Sequence, residues 1–217
     1  MAFKNDMTMM YVFHDALRRD LGRIARVTAR TDDDPKHVLR TAAGWEMFKS
    51  YLHVHHTTED ELLWPPMRQA LAGDSAGAAL LDAMEAEHSA IDPLLAAIDA
   101  ALADRDAGPA RLGELTDALA TALCTHLDHE EKDGLPLVDA TITAEQWQAF
   151  GAEGANRIST DVSRFMPWVF DGAASEVTAS VLGLLPPPIQ QAYRDQWQPD
   201  YANLNLWGRQ GPNHPCP

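Results

Sequence analysis

The sequence predicts an all-α chain, an up-down-up-down four-helix bundle with a short helical C-terminal extension. Apolar residues recur at spacings of three and four along four long stretches before residue 136, and those stretches show little β-branched alternation. The breaks between the stretches are short and rich in Pro, Gly and Asp. Four amphipathic helices joined by short loops must bury their stripes against one another, and an antiparallel bundle is the simplest way to do so.

The first helix carries the stripe Met7, Met10, His14, Leu17, Leu21, Ile24 and Thr28. Asp34-Pro35 then reads as an N-cap with proline at the first helical position. The second stripe runs Val38, Ala42, Trp45, Phe48, Leu52, His55, Glu59 and Leu62, and is expected to end near Trp64-Pro65-Pro66. A loop containing Gly73, Asp74, Ser75 and Gly77 leads to the third stripe, Leu81, Met84, His88, Ile91, Leu95, Ile98 and Leu102. Gly108-Pro109 opens the fourth, with Leu112, Leu115, Leu119, Ala122, His126 and Glu130, and Pro136 is expected to close it.

The bundle is thus expected over residues 1–140 and the extension over 141–217. In the extension, Thr143 with Gln146 has the form of a capping box opening a helix through Trp147, Phe150 and Ile158. Pro167, Asp171-Gly172 and Pro186-Pro187-Pro188 break the remainder of the extension into short pieces. The segment is small for a core of its own, so short helices packed on the bundle are expected, with a loosely ordered tail after Gly208.

At 46% hydrophobic and 23% charged, the 217 residues have an ordinary globular composition. Seventeen basic residues against 32 acidic ones give a net charge of −15. That balance argues against nucleic acid and anionic membranes as partners. No apolar run approaches the roughly 18 residues of a membrane span, and the first residues show no secretory h-region. Cys124 and Cys216 lie far apart and make no disulfide framework, a usage that fits a reducing cytoplasm.

The unusual count is nine histidines. Each apolar stripe is interrupted by one on its buried face: His14, His55, His88 and His126. Glu59 and Glu130 stand four residues after two of these, one turn away on the same face. Each buried polar group costs roughly 1–3 kcal/mol unless it is satisfied, and metal ions shared by imidazoles and carboxylates would satisfy all six. Mixed ligation of this kind suits iron, manganese or zinc, and without clustered Cys it argues against a thiolate or iron–sulfur site. His53 and His129 fall off the ligand phase. Asp60, Glu61 and Glu131 read as a solvated face or as carboxylates behind the imidazoles. Glu85 and Glu87 are expected at the surface, Cys124 as a small apolar core residue, and His37 and His214 outside any site. Tyr51, one turn before His55, is either a core aromatic or a group that reaches the site.

Four segments taken in order resemble a known family: Phe13-His14-Asp15, the run from His55 to Pro65, Glu87-His88, and the run from His126 to Glu131 with Leu135-Pro136. Over residues from about 8 to 140 the chain is similar to the hemerythrin-like, or HHE, cation-binding domain. The resemblance implies a non-haem diiron centre, two oxo- or hydroxo-bridged iron ions, with His14, His55, Glu59, His88, His126 and Glu130 as ligands and the two glutamates bridging. It departs from the oxygen carriers in two ways. One turn from His88 stand Met84 and Asp92, where the carriers have a further His. The carriers' spacing of the last pair would also choose Glu131 over Glu130. His56 is an alternative source of the missing ligand, although an i+1 residue points about 100° away, and Tyr51 is another. The expected function is binding of, or reaction with, O2, NO or peroxide. The alternatives are an iron- or oxygen-responsive sensor without turnover, and a diiron oxidase or oxygenase whose organic substrate is covered by the C-terminal helices. Structural zinc is a further alternative.

Overall fold

A computed structural model describes residues 3–28, 35–104 and 106–207, with the backbone alone for residues 35–40. The expected cap at Asp34, the side chains of Val38 and His37, and the tail with His214 and Cys216 therefore lie outside the described residues. All regular structure among the described residues is helical. Helices α1 (Thr8–Thr28), α2 (Pro35–Leu62), α4 (Ser75–Ala103) and α5 (Gly108–His129) form the bundle, with α3 (Trp64–Ala70) between α2 and α4. Each bundle helix packs on the next, and α5 returns to α1 to close the ring.

Two boundaries differ from the sequence expectation, both at prolines. Pro65 and Pro66 start α3 rather than merely ending α2, since a first helical turn needs no N–H and tolerates proline. Likewise Pro136 does not close the fourth helix. The chain passes through one wide π turn (Glu130–Gly134), in which the Leu135 N–H donates to the Glu130 carbonyl, and continues as α6 (Leu135–Thr141). The α4 N-terminus is capped by Asp74, whose carboxylate accepts from the N–H of Ala76 and Gly77. At the α4–α5 turn a side chain on Gly108 would place its Cβ within 1.8 Å of the Ala101 carbonyl, so only glycine allows that close approach.

The bundle interior is two apolar clusters separated by a polar layer. One contains Leu17, Leu21, Phe48, Leu52, Ile91, Leu119 and Leu123. The other contains Met10, Trp64, Met67, Leu81, Met84, Leu135 and Val138. The in-phase histidines stand between them in sequence on every bundle helix, and the layer they form is buried.

After α6 the capping box forms as the sequence predicts: Thr143 Oγ accepts from the Gln146 N–H, and the Gln146 side chain accepts from the Thr143 N–H. It opens α7 (Ala144–Arg157), which lies along α2. A 3-10 turn (Ser159–Asp161) leads to α8 (Val162–Phe170), packed on α1, and then α9 (Ser175–Gly183), α10 (Pro187–Ala192), a π turn (Tyr193–Trp197) and α11 (Gln198–Leu204). Two anchors hold these helices down. Trp168 of α8 donates its indole N–H to the fully buried Asp20 of α1 at 2.7 Å, and Asp20 also accepts from Arg19 and Arg23, each at 3.0 Å. Trp207 lies against α2 at Gly44, where any Cβ would come within 2.6 Å of its ring. Cys124 is buried in the core as expected but is disulfide-bonded, which corrects the expectation that the cysteines form no disulfide and removes the argument for a reducing cytoplasm that rested on it. No helix among the described residues is long and apolar enough to cross a membrane.

Candidate metal centre

Each bundle helix delivers to the polar layer the side chains that its own periodicity places inward, and α2 adds His56 from outside its stripe. Helix α1 gives His14, α2 gives His55, His56 and Glu59, α4 gives His88, and the end of α5 with the π turn gives His126 and Glu130. They assemble into two groups whose potential ligand atoms lie within 4.8 Å of one another: His14, His55, Glu59 and Glu130, and beside it His56, His88 and His126.

The carboxylates lie between the groups. Glu59 Oε1 is 3.5 Å from His55 Nε2, and its Oε2 is 3.6 Å from His88 Nε2. Glu130 Oε2 is 3.2 Å from His14 Nε2 and 3.8 Å from His126 Nε2. Both glutamates are fully buried, and none of their four oxygens has a hydrogen-bond partner; neither does His56 Nε2.

Outside this layer a ring of carboxylates fixes the imidazoles. His14 Nδ1 is 2.9 Å from Glu131, His88 Nδ1 is 2.8 Å from Asp60, and His126 Nδ1 is 2.9 Å from Glu87. A carboxylate only accepts, so each Nδ1 carries its proton and each Nε2 turns toward the interior. There the nitrogens meet in pairs: His14 and His55 Nε2 are 3.1 Å apart, as are His88 and His126 Nε2. The carboxylates are themselves held. Glu131 accepts from Arg18, Asp60 from the Trp64 indole, and Glu87 from His129 Nδ1.

Electrostatics in the layer call for positive charge. Burial alone would depress His14, but Glu130 and Glu131 outweigh it and raise it to about 9. Burial, reinforced by neighbouring histidines, drives His55 and His56 well below their ordinary value. Burial and the charge of Glu130 push Glu59 well above the usual carboxylate range. Glu130 is equally buried, yet His14, His55 and His126 hold it well below that range. Burying both carboxyl groups among five imidazoles is costly, because each desolvated charge costs several kcal/mol unless it is compensated. Cations between them satisfy every orphaned atom, and borderline N and O donors suit iron, manganese or zinc. The residues present fit a resident metal.

Among the residues singled out from the sequence, His14, His55, Glu59, His88, His126 and Glu130 come together here, joined by His56. Glu131 stands one step outward on His14 Nδ1. Tyr51 reaches neither group: its hydroxyl donates to Asp161 at 2.6 Å and its ring packs on Trp168. His53 is exposed, and His129 stands behind Glu87. The surface expectation for Glu87 is corrected, because its two oxygens bind His126 and His129 of α5. Its sequence position beside His88 gives no signal of this, since both partners lie about forty residues along on another helix. Glu85 pairs with Arg68 outside the layer.

Neither a curated protein nor a solved structure matches the chain. A family profile does, the hemerythrin HHE cation binding domain, over residues 5–138. That span covers all four bundle helices and every residue of the polar layer, and the chain belongs to the hemerythrin HHE cation-binding family.

Proposed function

We propose that the polar layer holds two iron ions and that the chain binds or reacts with O2, NO or peroxide there. The observation that supports this reading is the position of Glu59 and Glu130, each within 4 Å of imidazole nitrogens from both histidine groups. Carboxylates so placed are shared between two cations. His56, His88 and His126 would hold one cation and His14 and His55 the other, with Glu59 and Glu130 close to both sets. Iron held there would supply the redox chemistry for binding or reducing a small oxidant.

The protein's own residues do the rest. His14, His88 and His126 keep their protons at Nδ1 on Glu131, Asp60 and Glu87, which fixes each Nε2 as a donor to metal. Phe13 stacks on His55 at 4.7 Å, and the Trp64 ring lies 6.1 Å from that of His88, so apolar rings flank the buried layer. The bundle of residues 1–140 carries the centre, and the extension from 141 covers one side of it. Elemental analysis of protein expressed with iron, with absorption spectra before and after hydrogen peroxide, tests this reading. Two irons per chain and near-ultraviolet bands that respond to peroxide are expected; zinc alone, or no metal, overturns it.

A further inference from the structure

A cleft of about 480 Å³ opens between α1 and α2 on one side and α7–α10 on the other, and His55 forms part of its wall. Its volume falls within the about 300–1,000 Å³ typical of small-molecule sites. The wall is almost wholly apolar, with Met9, Met10, Phe13, Phe150, Phe165 and Met166 among its residues. Methionine in particular adapts to irregular apolar shapes.

Two glycines of α7 line this space. Gly151 and Gly154 both face the cleft, one turn apart in the same helix, and a Cβ on either would meet nothing within 4 Å. Glycine inside a helix costs about 0.8–1 kcal/mol relative to alanine, and α7 carries it at two positions of the cleft wall.

The charge of the wall narrows the occupant. No Lys or Arg lines the cleft among the described residues, so an acidic group would enter without a counter-charge. The one carboxylate present, Asp6, accepts from the Thr8 N–H, and this group would repel an anion. Thr58 already donates its hydroxyl to the Val54 carbonyl, and the Trp147 indole to the Asp6 carbonyl. Nothing in the wall asks for a strongly polar partner.

We propose that this cleft binds an uncharged, largely apolar organic molecule and holds one end of it beside His55. The assignment of that end to the metal centre rests on the diiron reading above; the binding of the molecule does not. It gives the C-terminal helices a role, since α7 to α10 supply the wall that the bundle lacks.

The test uses full-length, iron-loaded protein and the neutral fluorescent probe N-phenyl-1-naphthylamine. One saturable site is expected, displaced by 1-dodecanol and not by dodecanoate. Gly154→Phe and Gly151→Leu fill the cleft and should each weaken probe binding by roughly tenfold or more, with iron content and helicity unchanged. Ala152→Phe, on the exposed side of α7, should leave binding as it was. Failure of the probe to bind, undiminished binding by both filled variants, or displacement by dodecanoate as strong as by dodecanol overturns the proposal. Iron without probe binding removes the cleft and leaves the metal reading intact. Probe binding without iron supports the cleft and removes the metal reading.

Discussion

His88 Nε2 and His126 Nε2 face each other at 3.1 Å while the far nitrogen of each ring is held by its own carboxylate, Asp60 and Glu87 respectively. Imidazoles held in this way turn both Nε2 atoms into the same small space. A cation between the two nitrogens would give both a partner; His14 and His55 Nε2 also approach to 3.1 Å, but there only His14 has its far nitrogen on a carboxylate, Glu131. Four helices thus bring buried imidazoles and carboxylates together in one layer, a donor set that suits cations.

Glu130 and Glu131 are adjacent and have different roles. Glu130 is fully buried with no hydrogen-bond partner, whereas Glu131 is partly exposed and pairs with His14 Nδ1 and Arg18. Glu130→Ala should therefore cost at least one of two irons per chain. Glu131→Gln should retain both and weaken affinity by about 10–100-fold, the usual effect of loosening a ligand's outer partner. Elemental analysis after dialysis against graded chelator separates the two outcomes, and equal losses would contradict this division of roles.

His56 offers a sharper test. Its ring stacks on His88 at 3.9 Å, its Nε2 has no hydrogen-bond partner, and it groups with His88 and His126. His56→Phe keeps the stacking surface and removes the donor. The expected result is selective loss of one iron, read as a halved metal content with the bundle's helicity retained. Full retention of both irons would show that His56 only packs.

The contrast between His56 and its neighbours shows what the sequence makes legible. His14, His55, His88 and His126 stand in phase with their own apolar stripes, and a stripe is a local signal readable on each helix alone. His56 lies about 100° from His55, so one stripe could not include both. The structure buries both because α2 touches α1, α4 and α7 and keeps a wide arc covered at this level, including Thr58 and Glu59. Glu87 is hidden for another reason: its partners arrive on α5, and no periodicity within α4 marks a contact that only tertiary packing creates. The continuation through the π turn into α6 is obscured by Pro136, because proline ends helices far more often than it begins them within a continuing chain.

Asp20 tests whether the extension is locked to the bundle through a single carboxylate. It accepts from Trp168, Arg19 and Arg23 while fully buried, and Arg23 passes on to Asp171 at 2.8 Å. Asp20→Ala removes the acceptor that Trp168, Arg19 and Arg23 share, while Arg19 keeps the Asp171 carbonyl and Arg23 the Asp171 carboxylate, and should destabilise the fold by about 1–3 kcal/mol. Urea titration with tryptophan fluorescence as the readout measures this. A loss below about 1 kcal/mol, the size of a single ordinary hydrogen bond, would mean that apolar packing of α8, not the carboxylate, holds the two parts together.

The start of the chain is tied to α6 in a pH-dependent way. Asp139 accepts from the backbone N–H of Lys4 at 2.8 Å and of Asn5 at 2.9 Å. A desolvation cost is outweighed by these two donors and by the Lys4 charge, so its carboxyl is held below the ordinary value of 3.8. A carboxyl depressed in the folded state stabilises the fold fully above the unfolded value and loses that contribution as pH falls through the folded one. Amide exchange at Lys4 and Asn5 should accordingly be protected at about pH 6 and lose protection as the pH drops below about 4. In Asp139→Asn the same amides should exchange at rates that, corrected for intrinsic chemistry, no longer respond to acid in this window. An unchanged acid response in that variant would assign the tether to another group, the Asp6 cap on Thr8 being the nearest.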